Sequence, residues 1–128
     1  MIYVDTSVVL AQLLAEDRRP PADFWAGDLV ASRLLGYEAW NRIHALGLAD
    51  SHATELTTIL GHLSMLELVP EVLARALQPF PVPVRTLDAL HLASASFLAS
   101  RGQSVFLASY DVRLIEAARA IDVRAGEP

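Results

Sequence analysis

Short apolar runs alternate with amphipathic stretches along most of the chain. Met1–Val4 is apolar and carries β-branched residues, which predicts a buried strand. Asp5-Thr6-Ser7 supplies three N-cap residue types ahead of Val8, Val9, Leu10, Leu13 and Leu14, so this strand runs straight into a helix. Pro20-Pro21 breaks the pattern. Between there and Leu29, Phe24 and Trp25 suit a helix, a packed loop or a partner surface. Leu29–Ala31 predicts a second strand. Ser32 is placed to cap a helix from about Leu34 to Leu46, with Leu35, Ala39, Ile43 and Leu46 at helical spacing and Gly47 as its stop. A third helix is expected over Ala53–Leu63 and a strand over Leu66–Val69. Pro70 then suits the first turn of a helix over Glu71–Leu77. Pro79, Pro81 and Pro83 make Gln78–Val84 an irregular connector. Thr86 is placed to cap a helix from Leu87 to about Ala99, ended by Gly102. Val105–Ala108 reads as a strand, Val112–Ala120 as a helix and Val123 as part of a short last strand. This alternation predicts an α/β fold with a parallel sheet covered on both faces.

Composition adds bounds. A chain of 128 residues that is 53% apolar suits one domain, 1–128, with a sizeable core. The mean hydropathy of +0.35 is high and suggests apolar surface covered by a partner or a second copy. No apolar run approaches the ~18 residues of a membrane span. The opening residues have neither the basic start nor the apolar stretch of a signal peptide. There is no cysteine, which rules out thiolate metal sites and suits the cytoplasm. The net charge is −5 and every basic residue is arginine, so the chain as a whole gains no attraction for nucleic acid.

Four carboxylates stand out. Parallel sheets bind ligands at the carboxyl ends of their strands. Asp5 directly follows the first strand, and Asp111 stands three residues past Ala108. Two acids at one sheet edge repel each other unless a cation lies between them, and magnesium or manganese favours such oxygen donors. Glu38 lies among apolar neighbours within a helix, and Asp88 in the first turn of another. Each also has a plainer reading. Asp5 and Asp111 are placed to cap helices, Asp88 suits a helix N-terminus, and Glu38 suits a solvated helix face.

Taken together, the apolar strand followed by Asp5-Thr6-Ser7, the helical Glu38, the run Arg85–Ala93 and the closing Ser109-Tyr110-Asp111-Val112-Arg113-Leu114 resemble the PIN-domain family. Within it they are similar to the VapC-type toxins of toxin–antitoxin pairs. The resemblance covers Met1 to about Val123. It implies a three-layer α/β/α sandwich around a parallel four- to five-stranded central sheet. It also implies endoribonuclease activity with Mg2+ or Mn2+, and Asp5, Glu38, Asp88 and Asp111 as the catalytic, metal-binding acids. The hydroxyl residue before the last aspartate is usually threonine in the family, and Ser109 keeps the hydroxyl. The implied partners are an RNA substrate, a cognate VapB-like antitoxin protein and a second copy in a homodimer, with no membrane.

Other residues take supporting places. Ser7 and Ser109 are candidates for orienting a ligand, and Arg85 and Arg113 for gripping RNA phosphates, or else they are solvated surface arginines. His91 shares a helix face with Asp88 and suits a metal ligand, a general acid or a hydrogen-bonded core histidine. Trp25, Trp40 and Tyr37 suit packing better than base stacking. The competing class is a non-catalytic PIN-like RNA- or protein-binding module, against which the presence of all four acids argues. A phosphatase with a second aspartate two residues after the first meets Ser7 instead, and a receiver domain lacks its lysine.

Overall fold

The structure is a computed structural model describing Met1–Pro128. The strands are β1 (Ile2–Val4), β2 (Leu29–Ser32), β3 (Ser64–Leu66), β4 (Phe106–Ala108) and β5 (Arg124–Gly126). The helices are α1 (Thr6–Leu13), α2 (Arg33–Ala45), α3 (Ala49–Leu60), α4 (Pro70–Ala76), α5 (Thr86–Ser100) and α6 (Val112–Ala120), with a 3-10 turn at Ala22–Ala26. The five strands form one parallel sheet in the order β3-β2-β1-β4-β5. The chain builds outward from β1 in one direction, then returns to β4 on its other side. The carboxyl ends of β1 and β4 therefore flank the point where the strand order reverses, the place at which open α/β sheets bind ligands.

Alternation along the strands creates two interiors. Val4, Leu29, Ala31 and Ala108 pack with α1, α2 and α3 on one face. Tyr3, Val30, Leu107 and Ala125 pack with α5 and α6 on the other. The result is the expected three-layer α/β/α sandwich around a parallel sheet, with five strands. No helix is long and apolar enough to cross a membrane. Phe24 and Trp25 pack against the first core from the 3-10 turn, and the Trp25 indole donates to Gln12 Oε1 (3.3 Å). Trp40 also packs there, whereas Tyr37 is 68% exposed.

Several boundaries differ from expectation, each for a local reason. Helix α2 ends in a paired bond motif: Gly47 N donates to His44 O and Leu48 N to Ile43 O, with Gly47 at φ +68°. That turn makes Leu46 the cap residue, 44% exposed rather than core-facing, and allows α3 to start at Ala49. Strand β3 lies at Ser64–Leu66, earlier than Leu66–Val69, because β2 stops at Ser32 to cap α2 and offers no ladder beyond Leu66. Val69, ahead of Pro70, is extended as a pre-proline residue prefers to be. Thr86 does not cap α5: the helix begins at Thr86 itself, Arg85 takes the cap position, and no side chain bonds the free amides. Val123 is buried just before β5.

Two leucines of one sequence stripe should therefore behave differently. Leu35→Ala should cost about 2–5 kcal/mol of stability through lost burial and a cavity, and Leu46→Ala less than about 0.5 kcal/mol. Urea unfolding followed by circular dichroism reads both.

Candidate active site

The turn after β1 and the turn after β4 are joined through one carboxylate. Asp5 N donates to Ala108 O (3.0 Å), continuing the parallel ladder past the last residue of β1. The Asp5 side chain, 6% exposed, caps α1. Its Oδ2 accepts from Ser7 N (3.3 Å), Ser7 Oγ (2.6 Å) and Ser109 Oγ (2.8 Å). Each hydroxyl also accepts from the turn after β4: Ser7 Oγ, from across the gap, from Tyr110 N (3.0 Å), and Ser109 Oγ, within its own turn, from Asp111 N (2.9 Å). Both serines thus clip the two turns together, Ser7 through Tyr110 N and Ser109 through Asp5 Oδ2. Asp111 caps α6, its Oδ1 accepting from Arg113 N (3.0 Å) and Leu114 N (3.4 Å).

Glu38 is not a solvated surface residue. It reaches from α2 toward α1 and α5, where its Oε1 accepts from Thr6 Oγ1 (2.9 Å) and from His91 Nε2 (2.5 Å). His91 is 1% exposed, and its Nδ1 pairs with the Tyr3 hydroxyl at 2.8 Å. With both ring nitrogens engaged, His91 is the hydrogen-bonded core histidine among its three readings. Burial pulls its pKa down. The bond to Glu38 and the charges of Asp5, Glu38 and Asp88 outweigh this and hold it above the ordinary value.

Asp88 sits half-buried in the first turn of α5, and its carboxylate makes no hydrogen bond within the chain. Its carboxyl is held above the usual range, first by burial, then by the charges of Asp111 and Asp5; His91 opposes them and Glu38 adds to them. All four acids thus act on one electrostatic environment, though they do not line one cavity. Asp88 and Asp111 share a cavity of about 280 Å3 with Arg85 and Arg113. Glu38 and Thr6 line a neighbouring groove of about 400 Å3. Arg85 and Arg113 are exposed, and neither forms an ion pair within the chain.

The spare acceptors matter most for chemistry. Asp5, Glu38 and Asp111 each commit one carboxylate oxygen to the protein and keep the other without a protein partner, and Asp88 keeps both. None of these is a sealed atom, because no buried side-chain oxygen or nitrogen lacks a partner. No three acidic or imidazole side chains stand together closely enough to hold a metal ion in this arrangement. What the fold supplies is an open, all-oxygen donor set with excess negative charge, suited to a hard divalent cation.

A family model for the PIN domain matches residues 2–120. The chain belongs to the PIN-domain family. Among relatives, it is 28% identical to a protein named ribonuclease VapC47 from Mycobacterium tuberculosis (strain CDC 1551 / Oshkosh), over 100% of this chain and 97% of that one. It is 29% identical, with the same coverage, to ribonuclease VapC35 of that strain and of strain ATCC 25618 / H37Rv. Among solved structures it is similar to PAE2754 from Pyrobaculum aerophilum, with a TM-score of 0.62 over 97% of this chain and 89% of that one. The identity there is 19%, so this likeness concerns the fold.

In this PIN domain, the partners of Glu38 were the part that sequence reasoning missed. Thr6 looked like a cap candidate beside Asp5, and Tyr3 like an ordinary strand residue. The available signal was His91 one helical turn from Asp88, with a hydroxyl residue adjacent to Asp5. Because Ser109 Oγ is buried and serves both Asp5 and the Asp111 amide, Ser109→Ala should cost about 1–3 kcal/mol in a urea titration.

Proposed function

We propose that this PIN domain is a metal-dependent endoribonuclease and the toxin of a toxin–antitoxin pair. The observation that carries the reading is the set of four carboxylates gathered where the strand order reverses, each with an oxygen left over by the protein. The names of its relatives, ribonucleases matched along nearly their whole length, support the activity class. Their family also supports the partners: a VapB-like antitoxin, a second copy in a homodimer, and RNA in the cytoplasm.

The donor chemistry fits magnesium or manganese. Asp5, Asp88 and Asp111 would hold the ion, with Glu38 contributing directly or through water. Bound there, such an ion would supply an activated water and neutralise charge on the scissile phosphate. The protein's own part is positional. Ser7 and Ser109 fix the Asp5 carboxylate, so that its free oxygen is presented in one orientation. The α6 amides fix Asp111 in the same way. Asp88 stays unsatisfied and destabilised by its neighbours, a state relieved by positive charge. Arg85 and Arg113, on the wall of the Asp88–Asp111 cavity and free of internal partners, are placed to take the phosphates on either side of the cut. These local cations answer the objection raised by the net charge of −5.

Purified, antitoxin-free protein incubated with a mixed structured RNA pool should cut at defined positions with Mg2+ or Mn2+ and fall silent with EDTA. Asp5→Asn and Asp88→Asn should each lower the rate by about two orders of magnitude or more, since even outer-shell changes at metal sites cost 10–100-fold. Arg85→Ala with Arg113→Ala should raise KM for RNA and flatten its salt dependence while still cutting. Folded protein that leaves the pool intact with either metal would favour a non-catalytic binding module.

A further inference from the structure

We propose that His91 is a positioning residue for Glu38, and that Tyr3 in turn fixes His91. This rests on the metal-dependent reading of the site. Glutamate has a long side chain with several free torsions. Here one of its oxygens receives two donors from two elements, Thr6 of α1 at 2.9 Å and His91 of α5 at 2.5 Å. That pins the carboxylate in one orientation and leaves Oε2 as its free donor.

The imidazole has no other task available. It is 1% exposed, so it cannot approach a phosphate, and its second nitrogen is taken by the Tyr3 hydroxyl at 2.8 Å. Tyr3 lies fully buried on the central strand, two residues before Asp5, with its ring edge-on to the imidazole. His91 follows Asp88 by one turn of α5. The line Tyr3–His91–Glu38 therefore ties together the three elements that carry Asp5, Glu38 and Asp88. Hydrogen-bonded partners behind metal-binding carboxylates commonly set their orientation.

The test compares His91→Leu, His91→Gln, Tyr3→Phe and Glu38→Gln with the wild-type chain. Mn2+ affinity is read by calorimetry, RNA cleavage as kcat and KM, and folding by circular dichroism. His91→Leu should remain folded, bind Mn2+ about 10–100-fold more weakly and lose kcat with little change in KM. His91→Gln, whose amide nitrogen reaches the place of Nε2, should recover most of both. Tyr3→Phe, which keeps the ring and removes the hydroxyl that pairs with His91 Nδ1, should lose about two- to tenfold, and it decides the matter if His91→Leu does not fold. Adding His91→Leu to Glu38→Gln should cause no further loss, because the histidine acts only through the glutamate. A crystal structure of His91→Leu should show the Glu38 carboxylate turned away from its wild-type orientation.

Wild-type Mn2+ affinity in folded His91→Leu, a fully additive double variant or an unmoved Glu38 would overturn the proposal while leaving the nuclease reading standing. A wild-type chain that neither binds Mn2+ nor cuts RNA would overturn both.

Discussion

The bond from the Asp5 amide to the Ala108 carbonyl carries the β1–β4 pairing one residue beyond the end of β1. Everything at the site depends on that register. It sets the turn after β1 against the turn after β4, close enough for Ser7 to accept from the Tyr110 amide and for Ser109 to donate to Asp5. A one-residue slip would swap the faces of Tyr3 and Val4 and move both hydroxyls out of reach. The hydrophobic division of the two cores thus enforces the polar geometry: Tyr3 is held on one face and Val4 on the other.

Such an arrangement holds a permanent electrostatic conflict. The Asp88 carboxylate makes no bond to the chain and lies within the influence of three other carboxylates, which together with burial keep its proton affinity high. The fold tolerates this by satisfying one oxygen on each of Asp5, Glu38 and Asp111 with helix amides, hydroxyls or an imidazole. Those partners cost the site no donor capacity, since each carboxylate retains an oxygen. In the proposed function, a divalent cation would relieve the remaining excess of negative charge and would turn an acidic pocket into one that accepts phosphate.

Much of this was legible in the sequence because it sits at strand–helix junctions. An apolar run followed at once by Asp5-Thr6-Ser7 or by Ser109-Tyr110-Asp111 fixes both the end of a strand and the chemistry placed there. Asp5 and Asp111 cap α1 and α6, as their plainer reading had it, through one oxygen each, so that capping and the proposed ligand role do not compete. What stayed hidden arises from local backbone at the element boundaries and from tertiary placement at the site. The exposure of Leu46 follows from the turn at Gly47, and the early end of β3 from where β2 stops. The partner set of Glu38 spans 53 residues to His91 and 32 to Thr6, distances over which no local pattern carries information.

The central claim is that oxygens unused by the protein on Asp5, Asp88, Asp111 and Glu38 form one cation site. Crystals of the chain grown with Mn2+ and measured for anomalous scattering address it directly. The account predicts a manganese peak bound by Asp5, Asp88 and Asp111, with Glu38 beside it and the serine bonds to Asp5 Oδ2 intact. A saturated crystal with no peak at the carboxyl ends of β1 and β4, or with its peak on other residues, would contradict it.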